Sequence, residues 1–476
     1  MLSSSGTFVI SSPSYYSHSD CGYCEGKKEK FLGLKLPAGA NAPKQCLSSS
    51  VGTHVEQMTC QHYDFLINRN FRRSGNFLYK GDMLRGCCRM YTIRTDMGQM
   101  KITKEHRQVV NRFKRAIRDD KQSTQVTTNS KKGESFELVS LIRAEQQSSR
   151  FRTRYEPAVF SKEKFELYKK YQVRVHNDNP KTVSESSFNR FLCQSPFTET
   201  ELEGTPEQWL ALNSWTKNWP HHEKCHRLGP THECYYLDGK LIAISVLDFL
   251  PSGLSSVYFI WDPDYAHLSL GTLSGIREIQ MCKELGLGYY YLGYYIEDCA
   301  KMRYKGKFGG EVLDVCNGAY APLERIKPFL HDGKFFTLSE SDSSEISEKE
   351  LDFSEMPIKW SSDYVDASEA IYGLEKTYDD AKKTKDTLAQ KLHLADPKGN
   401  VNMELPDVFP GCLPLHQILT LFENLGDIDL PVRVYDYERN ALCRSFSHLP
   451  ARLKCAAVDC IRLFGVEMFL NSIMYG

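Results

Sequence analysis

Two pairs of cysteines near the beginning of the chain have a spacing that suits a metal ion. Cys21 and Cys24 form a C-x-x-C motif, and Cys87 and Cys88 are adjacent. A C-x-x-C turn brings two thiolates within reach of one ion, and a second pair completes a tetrahedral four-thiolate site. Soft thiolates suit zinc or an iron–sulfur cluster. Because the second pair is adjacent, unlike that of a common zinc finger, a C-x-x-C redox pair beside two unrelated buried cysteines is the alternative.

A tyrosine-rich stretch runs directly into a cluster of cations at Tyr289–Gly306 (YYYLGYYIEDCAKMRYKG). Tyr294 and Tyr295 offer flat faces and hydroxyl groups to a base or a peptide. Three cations follow them, namely Lys301, Arg303 and Lys305. Cations placed this closely suit a carboxylate or phosphate ligand, which arginine can bind in a bidentate manner. The alternative is an aromatic core strand that leads into a basic loop.

Other candidate side chains are more isolated. Ser269 and Gly271 open a predicted helix, whose N-terminal amides could bind an anion or an oxyanion. His176 could titrate near neutral pH, although a structural role is commoner for a lone histidine. The candidate proton acceptors, which the sequence does not rank, are Glu278, Glu297, Asp262 and Asp264. The chain contains no Walker loop, Rossmann fingerprint, nucleophile elbow or set of kinase motifs.

Charge is distributed unevenly along a chain whose formal net charge is zero. Residues 101–121 contain eight Lys and Arg against three Asp and Glu, a net charge of +5. Residues 340–355 contain seven acidic residues and one Lys, a net charge of −6. The basic stretch could contact a phosphate backbone, which the acidic stretch would repel. A solvated helix face is the commoner explanation of such a basic stretch.

Periodicity and turn residues predict the elements that would position these side chains. Residues 101–118 predict an amphipathic helix, because apolar residues such as Val109 and Phe113 recur at four-residue spacing. Asp238-Gly239 predicts a hairpin, since both residues accept the positive φ of a tight turn. The elements predicted next are a strand at Leu254–Trp261, a helix at Leu268–Leu285 and an aromatic strand at Tyr289–Tyr295 broken by Gly293. This order favours an α+β domain on a mixed or antiparallel sheet.

The composition sets the broad class. With 476 residues, 41% of them hydrophobic, the chain is long enough for more than one domain. It lacks the features of a signal peptide and any run of about eighteen apolar residues, so we expect neither secretion nor a membrane partner. Sixteen cysteines then indicate buried thiols or metal ligands in a reducing compartment. We expect a cytoplasmic protein, with the nucleus as a further location.

Several of these stretches together resemble the arginyl-tRNA–protein transferases of eukaryotes, and those of fungi in particular. The N-terminal part of the resemblance is carried by Cys21–Cys24, Asp64–Tyr79 (DFLINRNFRRSGNFLY) and Cys87–Arg94 (CCRMYTIR). The C-terminal part is carried by Phe165–His176 (FELYKKYQVRVH), Ser187–Pro196 (SFNRFLCQSP), Leu237–Leu250, Ser255–Leu270 and Tyr290–Gly306. The resemblance covers most of residues 20–310, and the region after residue 340 adds little to it.

The resemblance implies a fold and an activity. The implied fold is α+β, with an acetyltransferase-like (GNAT-type) mixed sheet flanked by helices and a small N-terminal Cys-rich metal-binding domain. The implied activity transfers arginine from arginyl-tRNA to proteins that begin with Asp, Glu or oxidised Cys, and the new N-terminal Arg marks them for degradation. The four cysteines would hold zinc or an iron–sulfur cluster. The implied partners are arginyl-tRNA, proteins with acidic N-termini and the ubiquitin ligase machinery.

The candidate residues take hypothetical roles on this basis. The catalytic candidates are Tyr294, Arg303 and Glu278. The substrate-binding candidates are Lys301, Lys305, Tyr295, His176, Ser269 and Gly271. The tRNA-binding candidates are Lys101, Lys104, Arg107, Arg112, Lys114, Arg115, Arg118, Lys169 and Lys170. Two alternatives stay open: a non-catalytic RNA- or degron-binding module with a structural metal, and a coenzyme A-dependent acetyltransferase, against which the missing Q/R-x-x-G-x-G/A loop at Ser269 counts.

Shifts in composition predict the domain organisation. We expect a flexible N-terminus at 1–20, a Cys-rich domain with the basic helix at 21–120, and a linker at 121–135 that has too little apolar surface to fold. An acetyltransferase-like catalytic domain follows at 136–339, and an acidic or charged linker or insertion at 340–404. An ordered extension at 405–476 is expected to pack on the catalytic domain, with a strand at Val432–Tyr435 and a helix at Leu453–Leu463.

Overall fold

The computed structural model describes residues 7–18, 21–24, 48–119, 139–217, 227–330, 334–338 and 364–476. The chain forms two units: the first comprises residues 1–93, 294–306 and 311–476, and the second comprises residues 94–293 and 307–310. The predicted linker at 121–135 and the acidic stretch at 340–355 lie outside the described residues. Within the described ranges, no helix combines the length and the apolar character that crossing a membrane requires.

The elements of the described residues are as follows. The strands are β1 (Phe8–Ser11), β2 (Ser14–His18), β3 (Ser48–Gln57), β4 (Arg72–Ser74), β5 (Phe77–Gly81), β6 (Tyr91–Asp96), β7 (Phe151–Pro157), β8 (Gly229–Leu237), β9 (Lys240–Phe249), β10 (Gly253–Trp261), β11 (Tyr289–Tyr295), β12 (Gly310–Asp314), β13 (Ala319–Pro322), β14 (Phe336–Leu338), β15 (Tyr364–Asp366), β16 (Pro431–Asp436), β17 (Ala441–Ser445) and β18 (Ser472–Tyr475). The α-helices are α1 (Cys60–Ile67), α2 (Lys104–Ala116), α3 (Val139–Gln147), α4 (Lys162–Val175), α5 (Glu185–Phe188), α6 (Glu199–Glu203), α7 (Pro206–Ser214), α8 (Leu270–Leu285), α9 (Ala300–Arg303), α10 (Leu323–Ile326), α11 (Ala367–Ala370), α12 (Glu375–Leu392), α13 (Leu415–Leu425), α14 (Ala451–Phe464) and α15 (Val466–Leu470). Short 3₁₀ helices span Pro263–Leu268, Tyr304–Phe308 and Lys327–Phe329.

The first unit is built on a mixed sheet that joins the two ends of the chain. Its strand order is β17–β16–β18–β1–β3–β5–β4, with β2 paired to β3. β1 and β18 run parallel, with Phe8 opposite Ser472. Phe8 and Ile10 are fully buried. The sequence predicts a flexible terminus over residues 1–20, but the described part of it is ordered as β1 and β2, because this pairing covers its apolar side chains.

The end of the chain belongs to the same sheet. The strand predicted at Val432–Tyr435 and the helix predicted at Leu453–Leu463 are confirmed as β16 and α14. The sequence predicts that residues 405–476 pack on the catalytic domain. In the structure, strand β16 of this region pairs with β18, and β18 pairs with the N-terminal strand β1. The local sequence of a strand does not indicate a pairing partner more than 450 residues away along the chain. The predicted domain limits themselves stay a prediction.

The strands of the second unit belong to a mixed sheet. β7, β8, β9 and β10 lie side by side in antiparallel pairs, and β11 runs parallel to β10. The predicted hairpin is confirmed, since β8 and β9 are joined at Asp238 and Gly239, whose φ angles are 51° and 80°. The sheets of this protein are mixed, so the α+β class is confirmed.

Helices cover both faces of this second sheet. On one face, Phe165 of α4 packs in a buried cluster with Ile244 and Val246 of β9. On the other face, the hydroxyl of Ser245 in β9 donates a hydrogen bond to the carboxyl group of Glu278 in α8. Successive strand residues point to opposite faces, so α4 and α8 lie on opposite sides of the sheet.

Two predicted helices are confirmed, each with a later start than the sequence suggests. α2 begins at Lys104, because the Thr103 hydroxyl accepts a hydrogen bond from the backbone amide of His106 and caps the helix. α8 begins at Leu270, because Ser269 adopts left-handed φ and ψ angles of 54° and 46°. The apolar periodicity that predicted both helices does not contain this information.

Strand β10 is longer than the ladder that it forms with β11. The parallel register runs only from Gly253 opposite Tyr289 to Ser255 opposite Tyr291. On its other side β10 stays paired with β9 as far as Trp261. The second half of β10 therefore continues beyond the end of its parallel ladder.

Candidate functional site

The four predicted metal ligands lie together in the first unit. The Sγ atoms of Cys21, Cys24, Cys87 and Cys88 are all within 4.8 Å of one another. Cys24 Sγ is 3.4 Å from Cys87 Sγ, and Cys87 Sγ is 3.9 Å from Cys88 Sγ. A tetrahedral site with metal–sulfur bonds of about 2.3 Å has sulfur–sulfur edges of about 3.8 Å. The four thiols therefore fit one metal ion, and the prediction that they come together is confirmed.

The thiols of Cys21, Cys87 and Cys88 hold their protons unequally. Hydrogen bonds from Cys87 and Cys88 lower the pKa of Cys21. The hydrogen bond to Cys21 raises the pKa of Cys87 to about 12 and also raises the pKa of Cys88. Further thiolates in this space would repel the first one. A bound dication removes that repulsion, which is why such a donor set suits a metal ion.

The cysteine cluster packs against the end of the tyrosine-rich stretch. Tyr294, Ile296 and Cys299 belong to the same buried cluster as three of the four cysteines. The fourth, Cys24, and Met302 are partly buried and pack against this cluster. The Cys299 thiol donates to the carbonyl oxygen of Tyr23, inside the C-x-x-C turn, at 3.4 Å. The segment Tyr294–Gly306, named here the basic loop, is therefore in direct contact with the candidate metal centre.

The three cations of the basic loop do not share one environment. Lys301 and Arg303 are exposed on α9, whereas Lys305 is buried. The Lys305 Nζ donates to the carbonyl oxygen of Tyr294 at 2.7 Å. Burial lowers the pKa of Lys305 to about 7. The sequence makes Lys301 and Lys305 substrate-binding candidates and Arg303 a catalytic candidate. The structure turns Lys305 inward, where a main-chain oxygen accepts its hydrogen bond.

Tyr294, a catalytic candidate, and Tyr295, a substrate-binding candidate, are both buried. Tyr294 donates to the carbonyl oxygen of Asn70 at 2.8 Å, and the guanidinium of Arg72 lies 4.9 Å from the centre of its ring. Tyr295 donates to the carboxylate of Glu297. Burial raises the pKa of both hydroxyls. Both tyrosines therefore keep their protons at neutral pH and act as hydrogen-bond donors.

Glu278, the predicted acid–base candidate, lies in the core of the second unit. Its carboxyl group is fully buried and accepts hydrogen bonds from the hydroxyls of Ser245 and Tyr290. Burial raises its pKa to about 7, and the nearby Glu233 adds to the rise, while the two hydroxyls and Arg277 oppose it. The group can hold or release a proton near neutral pH, but its atoms do not reach solvent.

Sequence reasoning missed a buried charge network beside Glu278. Arg277 pairs with Glu145 at 2.9 Å and with Glu233, and it donates to the hydroxyls of Thr153 and Tyr155 at 3.1 and 3.2 Å. These contacts fix α8 to α3, β7 and β8. The signal in the sequence is an adjacent Arg and Glu within a helix that is otherwise rich in apolar residues. If such a helix is buried, both charges need buried partners.

The predicted anion site at the start of α8 already has a protein partner. Ser269 Oγ accepts a hydrogen bond from Arg112 Nη2 at 2.8 Å. Gly271 is half-buried in the first turn of the helix. His176 is exposed at the end of α4, where its ring lies 3.4 Å from the Tyr258 hydroxyl. Arg112, predicted to bind tRNA, therefore also links α2 to the start of α8.

The other predicted tRNA-binding residues differ in how exposed they are. The exposed residues on α2 and its flanks are Lys101, Lys104, Arg107, Arg115 and Arg118, and Lys114 is half-buried there. On α4, Lys169 and Lys170 are half-buried. Lys170 forms ion pairs with Asp262 and Asp264. Positive charge thus dominates the surface of α2, whereas acidic partners offset the charge of Lys170.

Comparison with known proteins gives matches over both units. A family model described as "Arginine-tRNA-protein transferase, N terminus" matches residues 19–108, and one described as "Arginine-tRNA-protein transferase, C terminus" matches residues 163–314. Arginyl-tRNA--protein transferase 1 of Saccharomyces cerevisiae is 39% identical over 99% of this chain and 99% of its own length. Arginyl-tRNA--protein transferase 1 of Drosophila melanogaster is 28% identical over 70% of this chain and 87% of its own length. An aspartate/glutamate leucyltransferase of Campylobacter jejuni is 39% identical over 74 residues, which is 16% of this chain and 31% of its own length.

These matches include the features that the structure brings together. The N-terminal family match contains all four clustered cysteines, and the C-terminal one contains the basic loop and Glu278. The resemblance inferred from the motifs is confirmed. This chain belongs to the family of arginyl-tRNA–protein transferases.

Proposed function

We propose that this chain transfers arginine from arginyl-tRNA to the N-terminal amine of proteins that begin with Asp, Glu or oxidised Cys. The observation that carries the proposal is the similarity, over 99% of the chain, to a protein named arginyl-tRNA--protein transferase. The Campylobacter relative is named an aspartate/glutamate leucyltransferase, which supports acidic acceptors. Transfer of labelled arginine to a peptide that begins with Asp tests the proposal.

The reaction is the aminolysis of an ester. The acceptor amine attacks the ester carbonyl of arginyl-tRNA, an amide bond forms, and the terminal ribose hydroxyl of the tRNA leaves with the proton that the amine releases. The reference pKa of an α-amine is roughly 8, so a useful fraction is neutral at pH 7. The enzyme therefore needs no covalent nucleophile, and positioning with stabilisation of the tetrahedral oxyanion supplies most of the rate.

The second unit is the proposed site of this chemistry, on an acetyltransferase-like core. Four antiparallel strands, the helix α8 and the parallel strand β11 support this assignment of the fold. Main-chain amides of β10 beyond Ser255, where the parallel ladder has ended, are suitable donors to an oxyanion. The alternative substrate, acetyl-coenzyme A, is disfavoured because the start of α8 lacks the glycine-rich loop and Ser269 is bonded to Arg112.

Lys301 and Arg303 are the proposed binding groups for the acidic side chain of the acceptor. Both lie exposed on α9, within the basic loop. Arginine can hold a carboxylate through two parallel hydrogen bonds, and the neighbouring lysine adds a second positive charge. Lys305 does not join them, because its amine is engaged with Tyr294.

The exposed face of α2 is the proposed contact for the phosphates of tRNA. Seven of the cations between residues 101 and 118 were candidates for this role, and five of them are exposed. A charged helix face of this kind contacts the phosphate backbone of RNA and does not recognise the RNA sequence. Lys169 and Lys170 are a weaker choice, since Lys170 is already neutralised by two aspartates.

One zinc ion is the proposed occupant of the four-cysteine cluster. An iron–sulfur cluster spreads its thiolates over two or more irons, whereas all four Sγ atoms here lie within 4.8 Å of one another. We expect one zinc per chain after anaerobic purification, and Cys88→Ser should lower this content. Cys443→Ser, which changes a cysteine outside the cluster, is the matched control. Iron with inorganic sulfide and visible absorption would contradict the assignment.

The proposed consequence of the reaction is ubiquitin-dependent degradation of the acceptor in the cytoplasm or nucleus. No disulfide joins the cysteines in the described ranges of the chain, which suits a reducing compartment. The half-life of a reporter protein that begins with Asp, compared in cells with and without this chain, tests the consequence.

A further inference from the structure

The basic loop closes on itself at its base. The Lys305 Nζ reaches back eleven residues and donates to the carbonyl oxygen of Tyr294 at 2.7 Å. Both residues are buried, so this hydrogen bond is made away from water. Lys301 and Arg303, the two exposed cations, lie within the stretch that the bond encloses.

The base of the loop is fixed to a rigid part of the first unit. The Tyr294 hydroxyl donates to the carbonyl oxygen of Asn70 at 2.8 Å. Asn70 has a positive φ of 68° and is held by its own side chain, which donates to the Met90 carbonyl oxygen at 2.9 Å and accepts from the Thr92 amide at 2.8 Å. The Tyr294 hydroxyl is therefore hydrogen-bonded to a residue whose position is fixed by two hydrogen bonds of its own side chain.

The middle of the loop is fixed as well. The Cys299 thiol donates to the carbonyl oxygen of Tyr23. The carbonyl oxygen of Cys299 accepts from the amides of Met302 and Arg303 at 2.9 and 3.0 Å. The helical turn that carries Lys301 and Arg303 thus begins at an anchored residue.

Burial of a lysine amine is unfavourable unless a hydrogen bond compensates for the loss of water. Lys301 and Arg303 are exposed to water, whereas the amine of Lys305 is buried and donates a hydrogen bond to a main-chain oxygen. A loop held in its binding conformation loses less entropy when a ligand binds. A loop fixed in this way would therefore lose less entropy on binding a ligand of Lys301 and Arg303.

We propose that Lys305 and Tyr294 are positioning residues, which hold the basic loop in the shape that presents Lys301 and Arg303 to the acidic first residue of the acceptor. The inference rests on the proposed function, because it takes the acceptor site from there. It assigns neither residue a contact with substrate.

Binding of a fluorescein-labelled peptide that begins with Asp, measured by anisotropy on the full chain without tRNA, tests the proposal. We expect Lys305→Met, which keeps the length of the side chain but removes the donor, to weaken binding about tenfold. Tyr294→Phe should weaken it in the same direction. Both side chains fix the base of the basic loop. The loss of peptide affinity in the double variant should therefore be smaller than the product of the two single effects. Lys307→Met, at an exposed lysine two residues further on, is the control and should bind as the unaltered protein does.

Kinetics separate positioning from general damage. The KM for the peptide should rise in both variants, while the KM for arginyl-tRNA and the melting temperature stay close to those of the unaltered protein. If Lys305→Met does not fold, Tyr294→Phe alone decides the question. Unchanged peptide binding in the folded variants, together with weakened binding in Arg303→Ala, overturns this inference alone. Unchanged binding in Arg303→Ala overturns the proposed acceptor site itself.

Discussion

Glu278 shows what burial does to a carboxyl group in this protein. Its two oxygens accept hydrogen bonds from Ser245 and Tyr290, and the charged groups that face it are Glu233 and Arg277. Burial is the largest influence and raises the pKa of Glu278 to about 7. The folded protein therefore holds this proton between about pH 4.5 and 7, where the unfolded chain has released it.

We expect Glu278→Gln to change how stability depends on pH. Since the folded state binds the extra proton in this window, the Glu278 contribution makes the free energy of unfolding fall as pH rises from 4.5 to 7, by on the order of 2–3 kcal/mol. The Gln variant lacks this contribution and should lose less stability across the window. Urea unfolding at pH 5 and 7.5 measures the difference, with Glu284→Gln on the same helix as the control. Equal pH dependence in Glu278→Gln and the unaltered protein would disprove the raised pKa.

Arg303→Ala should weaken the use of acidic acceptors without unfolding the protein. A charge-assisted hydrogen bond to a carboxylate is worth about 1.5–3 kcal/mol, so the KM for a peptide that begins with Asp should rise about 10- to 100-fold. Arg325→Ala, at another exposed arginine of the first unit, should leave this KM unchanged. An unaltered KM in Arg303→Ala would remove this residue from the acceptor site.

At the scale of residues, local spacing predicted the ligands but not the direction of each side chain. Cys21 and Cys24 were identifiable because their motif brings two thiols together without help from the rest of the fold. The alternation in KMRYKG does not show that Lys305 is buried, because it does not show that α9 gives way to a 3₁₀ turn at Tyr304. The role of Arg277 is not visible in the local sequence, because its partners, such as Glu145, come from distant elements.

At the scale of elements, the predictions that held depend on short-range physics. The hairpin at Asp238-Gly239 follows from turn geometry, and α2 follows from apolar spacing. The start of α8 is predicted two residues too early, because a serine does not by itself indicate the left-handed conformation that Ser269 adopts. The ladder of β10 with β11 ends at Ser255, and nothing in the local sequence marks that end.

Reversal of charge on α2 should weaken the binding of arginyl-tRNA. The triple variant Lys104→Glu, Arg107→Glu and Arg115→Glu removes three exposed cations, so we expect at least a tenfold rise in the KM for arginyl-tRNA. The slope of log affinity against log salt should fall by roughly 0.7–0.9 for each phosphate contact that is lost.

The matching control for this helix lies on α4. Lys162→Glu changes an exposed lysine that already pairs with Glu166 and Glu185, and it should leave the KM for arginyl-tRNA and its salt dependence unchanged. The KM for the acceptor peptide should stay constant in both proteins. A salt slope that the triple variant does not alter would rule out α2 as the contact for tRNA.

At the scale of the whole molecule, pairing between distant parts of the chain was beyond local prediction. β1 and β18 lie side by side although they come from opposite ends of the sequence, and each strand alone could pair with many others. The four-cysteine cluster likewise needs Cys21 and Cys24 to meet Cys87 and Cys88. The resemblance of separate motifs to one family supplied the identity that no single element could.

Transfer of labelled arginine from arginyl-tRNA to two peptides that differ only in their first residue, Asp or Ala, tests the central claim most directly. The protein is prepared anaerobically with its metal content measured, and labelled acetyl-coenzyme A is offered in a parallel reaction. We predict arginine on the Asp peptide, little on the Ala peptide and no acetyl transfer to either. Absence of arginine transfer by folded, metal-loaded protein, or acetyl transfer in its place, would contradict the account.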